Sequence, residues 1–125
     1  VRVSAMRGLL GSSFCQLSGE DGTALAVLAH GGHGCISVTA NVAPRLVSDF
    51  QNAWADGRPD LALELQDRLM PLHTALFLET SPTPVKYAVS LLGKCTDEVR
   101  LPMVGLTDGT RKKVRNAMIA AGLLN

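Results

Sequence analysis

Charge is scarce in this sequence: 18% of its 125 residues are Asp, Glu, Lys or Arg, and the formal net charge is only +1. With a pI near 7.9, the charge balance gives no reason to expect nucleic acid or an anionic membrane as partner. No apolar run approaches the roughly 18 residues of a membrane span, and no signal-peptide pattern is present. Internal repeats and low-complexity linkers are also missing. Cys15, Cys35 and Cys95 are odd in number and lack a CxxC spacing. That argues for reduced thiols in a cytoplasmic protein. There is no initiator methionine, and the chain opens inside or at the edge of a helix.

What is abundant is apolar side chain, at 46% of the residues with a positive mean hydropathy. By size the chain is one domain, and for that size it is greasy. The surplus predicts apolar surface that something outside these residues covers.

The pattern is organised around Gly31 to Arg45, GGHGCISVTANVAPR. A glycine-rich turn leads into an unbroken apolar and β-branched segment, Cys35 to Ala40, followed by Asn41 and then Pro44, which opens a helix. A run too short for a helix and bounded by turn residues predicts a strand buried on both faces, as in a parallel sheet. Upstream, Val1 to Leu10 has Val3, Met6, Leu9 and Leu10 at helical spacing, stopped by Gly11. Phe14 to Leu17 predict a short strand, Ser18 to Asp21 a polar turn, and Thr23 to His30 a helix with Leu25 and Leu28 toward the sheet. Strand, helix and strand make a right-handed βαβ unit.

Beyond Pro44, which suits a first helical turn, the pattern is helical. Helices are expected from Pro44 to about Ala55, stopped by Asp56 and Gly57, and from Pro59 to about Glu79 with Leu61, Leu65, Leu69, Leu72 and Leu76 as its stripe. Pro71 should kink the second of these. Thr80 to Thr83 form a proline-bracketed break before Pro84 to Leu92, ended by Gly93. The last helix runs from Asp108 to Ala121, capped by Thr107 or Asp108 and closed by Gly122, with Val114, Met118 and Ala121 buried. Two parallel strands alone would both be edges with unpaired backbone groups. The expectation is therefore an α/β fragment, the end of a larger barrel.

Several blocks carry a resemblance: LSGEDGTAL (Leu17 to Leu25), GGHGCISVTANVAPR (Gly31 to Arg45), RLMPLHTALFLE (Arg68 to Glu79), SPTPVKYA (Ser81 to Ala88) and RLPM (Arg100 to Met103). In this order and spacing the chain resembles the C-terminal part of the dihydrodipicolinate synthases, pyruvate-dependent class I aldolases with a (β/α)8 TIM barrel. The resemblance makes Phe14 to Leu17 strand seven and Cys35 to Thr39 strand eight. Residues 1–56 are then the last βα units, and 57–125 a C-terminal helical extension. It implies condensation of pyruvate with L-aspartate 4-semialdehyde in the diaminopimelate route to lysine, in a homotetramer or other homo-oligomer, with no added cofactor or metal.

In that family a strand-six lysine forms a Schiff base with pyruvate and a tyrosine relays protons. An imine turns pyruvate into an enamine nucleophile, which requires a partly neutral amine. Here the lysines are Lys86, Lys94, Lys112 and Lys113, all in the expected extension or its loops, and Tyr87 is the only tyrosine. No catalytic residue is therefore assigned on this chain, which alone should be inactive. Two substrate-binding positions carry over. Ile36 stands where the strand-eight isoleucine meets pyruvate, largely through its backbone, and Gly19 sits at the same end of the barrel, where missing bulk leaves room. The plainer readings are a core isoleucine and a turn glycine.

Other residues are weighed by type. His30, His33 and Cys35 could ligate a metal, but more simply edge a turn. Glu20 and Asp21 could be an acid/base pair, but a polar turn capping the next helix accounts for them. Arg111, Lys112, Lys113 and Arg115 look like a basic patch, but on an amphipathic helix they are its solvated face. His73 has no catalytic assignment. The readings of function are a piece of the synthase, a related aldolase such as an N-acetylneuraminate lyase or a keto-deoxy sugar acid aldolase, and a non-enzymatic half-barrel that binds a partner or itself.

Overall fold

A computed structural model describes residues 2–125; Val1, where the expected first helix begins, lies outside them. The helices run α1 Arg2–Leu10, α2 Ala24–Ala29, α3 Pro44–Ala55, α4 Pro59–Ala75, α5 Thr83–Leu91 and α6 Asp108–Ala120. Strands β1 Leu17–Ser18 and β2 Gly34–Cys35 pair in parallel, Leu17 opposite Gly34 and Ser18 opposite Cys35. Gln16 O accepts the His33 N–H at 2.8 Å, and Ser18 O accepts that of Ile36 at 2.8 Å, extending the ladder at each end. The fold is thus α/β and rich in helix, with a small two-stranded sheet.

The helices end where the glycines stand, for a common reason. After α2, Gly31 at φ +85° sends its N–H to Leu28 O and Gly32 sends its own to Val27 O, satisfying two carbonyls that a helix end leaves open. The same pair of bonds closes α3 at Gly57, α5 at Gly93 and α6 at Gly122. Start signals also hold: Pro44 and Pro59 sit in first turns, and the Thr107 hydroxyl accepts the Thr110 N–H at 3.4 Å.

The main core lies among α3 to α6, around Val47, Leu69, Leu72, Leu76, Val114 and Met118. A smaller cluster joins α2, α3 and α4 through Ala24, Leu28, Phe50, Ala53, Ala62 and Leu65. The stripe expected on the last helix is borne out, with Val114, Met118 and Ala121 fully buried. Across the α4/α6 seam the Arg68 guanidinium donates to Ala121 O at 2.7 Å.

Several expectations are corrected. The first strand is Leu17–Ser18 instead of Phe14 to Leu17, and Phe14 lies exposed before it. The second is Gly34–Cys35, and the expected strand from Cys35 to Ala40, covered on both faces, is not formed: Ile36 is 72% exposed and Thr39–Asn41 coil into a 3-10 turn. A strand persists only where a neighbour takes its backbone groups, and past Ile36 the N–H groups of Val38, Thr39 and Ala40 go to side-chain acceptors instead. Helix α4 ends at Ala75, four residues before Glu79, with Pro71 inside it as expected. Proline costs that helix one hydrogen bond, and it lies on the exposed side, where water can serve the freed carbonyl. Helix α1 buries none of its described residues; Leu9 and Leu10 are exposed.

Candidate functional site

Because β1 and β2 are parallel, both deliver their C-terminal ends to one edge of the sheet. Gly19 follows β1 there and Ile36 follows β2, so register brings the two predicted substrate-binding positions side by side. A Cβ built on Gly19 would meet nothing within 4 Å. The position is open, and no crowding of its own explains the glycine. Gly19 and Glu20 form a ridge between two concavities, one of about 780 Å³ reaching Cys15, Gln16 and Met6, the other of about 680 Å³ reaching Met70, His73 and Phe77. Among the described residues no lysine borders either one.

Beneath this ridge lies a buried polar chain. Asp21 is 4% exposed. One carboxylate oxygen accepts the Ser37 hydroxyl; the other accepts the N–H groups of Val38 at 2.9 Å and Thr39 at 3.1 Å. Ser37 Oγ in turn accepts the Ala40 N–H at 2.8 Å, so a carboxylate and a hydroxyl together start the 3-10 turn. The Thr39 hydroxyl meets His73 Nδ1 of α4 at 2.7 Å. One turn-pair earlier on α4, Gln66 Nε2 donates to Gly22 O at 3.1 Å and Asp21 O at 3.4 Å. Helix α4 thereby grips both loops that leave the strands.

The electrostatics follow from that burial. Desolvation pushes the His73 imidazole below its ordinary range, with the Asp21 charge partly opposing. The Cys35 thiol is raised, by burial first and then by Asp21, while a hydrogen bond from Ser18 works the other way. Cys35 is therefore a poor nucleophile at neutral pH.

Asp21 is neither half of an acid/base pair with Glu20, which is exposed and bonded to the Thr23 hydroxyl at 2.7 Å, nor a cap of α2, whose N-terminus has no side-chain cap. His33 Nδ1 accepts the Gln16 N–H at 3.1 Å and His30 O accepts from Arg7, so both histidines edge the turn. Among the described residues no group of three or more His, Cys, Asp or Glu gathers as metal ligands would. Arg111 spans Asp97 at 2.8 Å and the Tyr87 ring at 4.7 Å, while Lys112, Lys113 and Arg115 are exposed. Among the described residues no helix is long and apolar enough to cross a membrane. Sequence reasoning missed the Thr39, Gln66 and His73 contacts. The available signal was that Gln66 and His73, seven apart, share a helix face with Leu65, Leu69, Leu72 and Leu76.

Comparison with known proteins gives a consistent answer. Residues 2–121 match the model of the dihydrodipicolinate synthetase family. The chain is 60% identical over 125 residues to the 4-hydroxy-tetrahydrodipicolinate synthase of Bradyrhizobium diazoefficiens, and 61% over 124 residues to that of Afipia carboxidovorans. It is covered over 100% and 99% of its length in these matches and spans 42% of each relative. In structure it is similar to the dihydrodipicolinate synthase of Thermotoga maritima at TM-score 0.93 with 35% identity, over 98% of this chain and 42% of that one. The synthase of Aquifex aeolicus gives TM-score 0.93 with 38% identity and the same shares.

Proposed function

Because the chain belongs to the dihydrodipicolinate synthetase family, we propose that it forms the C-terminal part of a 4-hydroxy-tetrahydrodipicolinate synthase, which condenses pyruvate with L-aspartate 4-semialdehyde on the way to lysine. In this reading β1 and β2 are strands seven and eight of a TIM barrel, residues 1–56 complete the barrel and 57–125 are its helical extension. Ile36 and Gly19 border pyruvate at the strand ends, the face where such barrels carry their sites. The carrying observation is the close match to named synthases along the whole chain, joined to a strand-end site without a lysine. The Schiff-base lysine and the proton-relay tyrosine then belong to polypeptide outside these 125 residues. The chain's own contribution is shape and main-chain contact with pyruvate. The exposed apolar side chains of Phe14, Leu17 and Ile36 are surface for the remaining strands to cover, and the assembled enzyme works as a cytoplasmic homo-oligomer.

The test is a graft. This chain replaces the matching 42% of the Bradyrhizobium diazoefficiens synthase, and the product is assayed beside the chain alone. The graft should condense the two substrates; the chain alone should not, and borohydride with pyruvate should trap nothing on it. In the graft, Ile36→Ala should raise the pyruvate KM modestly, because the backbone contact survives. A folded but inactive graft, or a pyruvyl adduct on Lys86 or Lys94 of the chain alone, overturns this reading.

A further inference from the structure

Asp21 is the only acidic side chain buried among the described residues. Neither of the ion pairs found there, Arg58–Asp56 and Arg111–Asp97, includes it. Burying a carboxylate without a cation is costly unless hydrogen bonds replace its water. Here three donors do so, and all three belong to residues 37–39, immediately after Ile36. On its other side Ile36 is held through its N–H by Ser18 O. The side chain of Ile36 lies open, while hydrogen bonds fix the main chain on both of its flanks. The Ser37 O–H is the donor to this carboxylate. Behind it, His73 holds Thr39, and Gln66 holds the Asp21 loop. These supporting contacts leave the carboxylate little freedom.

We infer that Asp21 is a positioning residue of the pyruvate site, setting the Ile36 main chain through its clamp on Ser37, Val38 and Thr39. This rests on the functional reading above. It is a role that turn chemistry alone does not require, since uncharged residues also close turns.

The experiment uses the same graft, with pyruvate KM, semialdehyde KM and kcat measured separately. Asp21→Ala should raise the pyruvate KM about tenfold or more, since small misplacement of a binding group is enough for such losses. The semialdehyde KM and the kcat of the folded fraction should stay within about threefold. Asp21→Asn, whose amide oxygen still accepts from Val38 and Thr39, should recover most of the loss. Ser37→Ala, which removes one of three donors, should fall between and serves if Asp21→Ala does not fold. A purely structural carboxylate would lower the yield of active enzyme and leave the pyruvate KM unchanged in every variant, overturning the inference alone. A folded graft that does not condense with Asp21 in place overturns the functional reading and the positioning role together.

Discussion

Gly32 is where a single methyl group should do the most damage for its size. Its φ is ordinary, so the constraint is proximity: a Cβ there would stand 2.5 Å from Val27 Cγ1, 2.8 Å from Val27 O and 3.2 Å from Val27 C. The side-chain contact could be relieved by rotation, but the carbonyl belongs to α2, whose last turn is tied at that point by the Gly32 N–H to Val27 O bond of 2.8 Å. Moving it opens the helix end and shifts the start of β2. Overpacking of this kind costs about 1 to 3 kcal/mol, and losing the bond adds about 0.5 to 1.5 kcal/mol. We expect Gly32→Ala to destabilise the chain by about 2 to 4 kcal/mol, a large part of the roughly 5 to 15 kcal/mol of a typical domain. Gly109→Ala is the matched control. That glycine lies in the first turn of α6 with nothing within 4 Å of a Cβ, so alanine should stabilise by about 0.4 to 1 kcal/mol. Urea midpoints give the two signs, and amide exchange should locate the Gly32 loss in α2 and β2. If Gly32→Ala is as stable as the parent, the close passage is not what selects glycine; if both variants lose equally, the effect is not steric.

Three further outcomes are expected. Because burial holds the folded His73 pKa below its unfolded value of about 6.5, the unfolded state binds more protons between the two, so stability should fall as pH drops below about 6.5 and level off beneath the folded pKa. His73→Gln, which can still meet Thr39, should flatten that slope in urea melts; an unchanged slope would assign it to other groups. Alkylation by iodoacetamide should reach the exposed Cys15 and Cys95 before Cys35, whose thiol is raised, and peptide mapping that finds Cys35 first would contradict its environment. Leu72→Ala, at a fully buried site, should cost about 2 to 5 kcal/mol. Leu63→Ala, on the same helix but 51% exposed, should stay within about 0.5 kcal/mol; equal losses would mean that α4 does not face the core as described.

The sequence by itself determined the helical half of this protein. Pro44, Pro59 and the Thr107 cap start helices, Gly57, Gly93 and Gly122 end them, and the leucines of α4 and the Val114, Met118 and Ala121 stripe choose the buried faces. Those signals are local, since capping and helical periodicity act within a few residues. The family too was legible, because its blocks are strings of particular residues in order. Tertiary structure decided the strand ends and what lies under them. Whether Ile36 to Ala40 extends as a strand depends on which groups take its N–H bonds, and the Asp21 carboxylate that takes two of them comes from 17 and 18 residues away. His73 reaches Thr39 across 34 residues and Gln66 reaches Asp21 across 45. No window along the chain contains those partners, so only the packing of α4 against the two loops could turn an unremarkable Asp and His into a buried clamp.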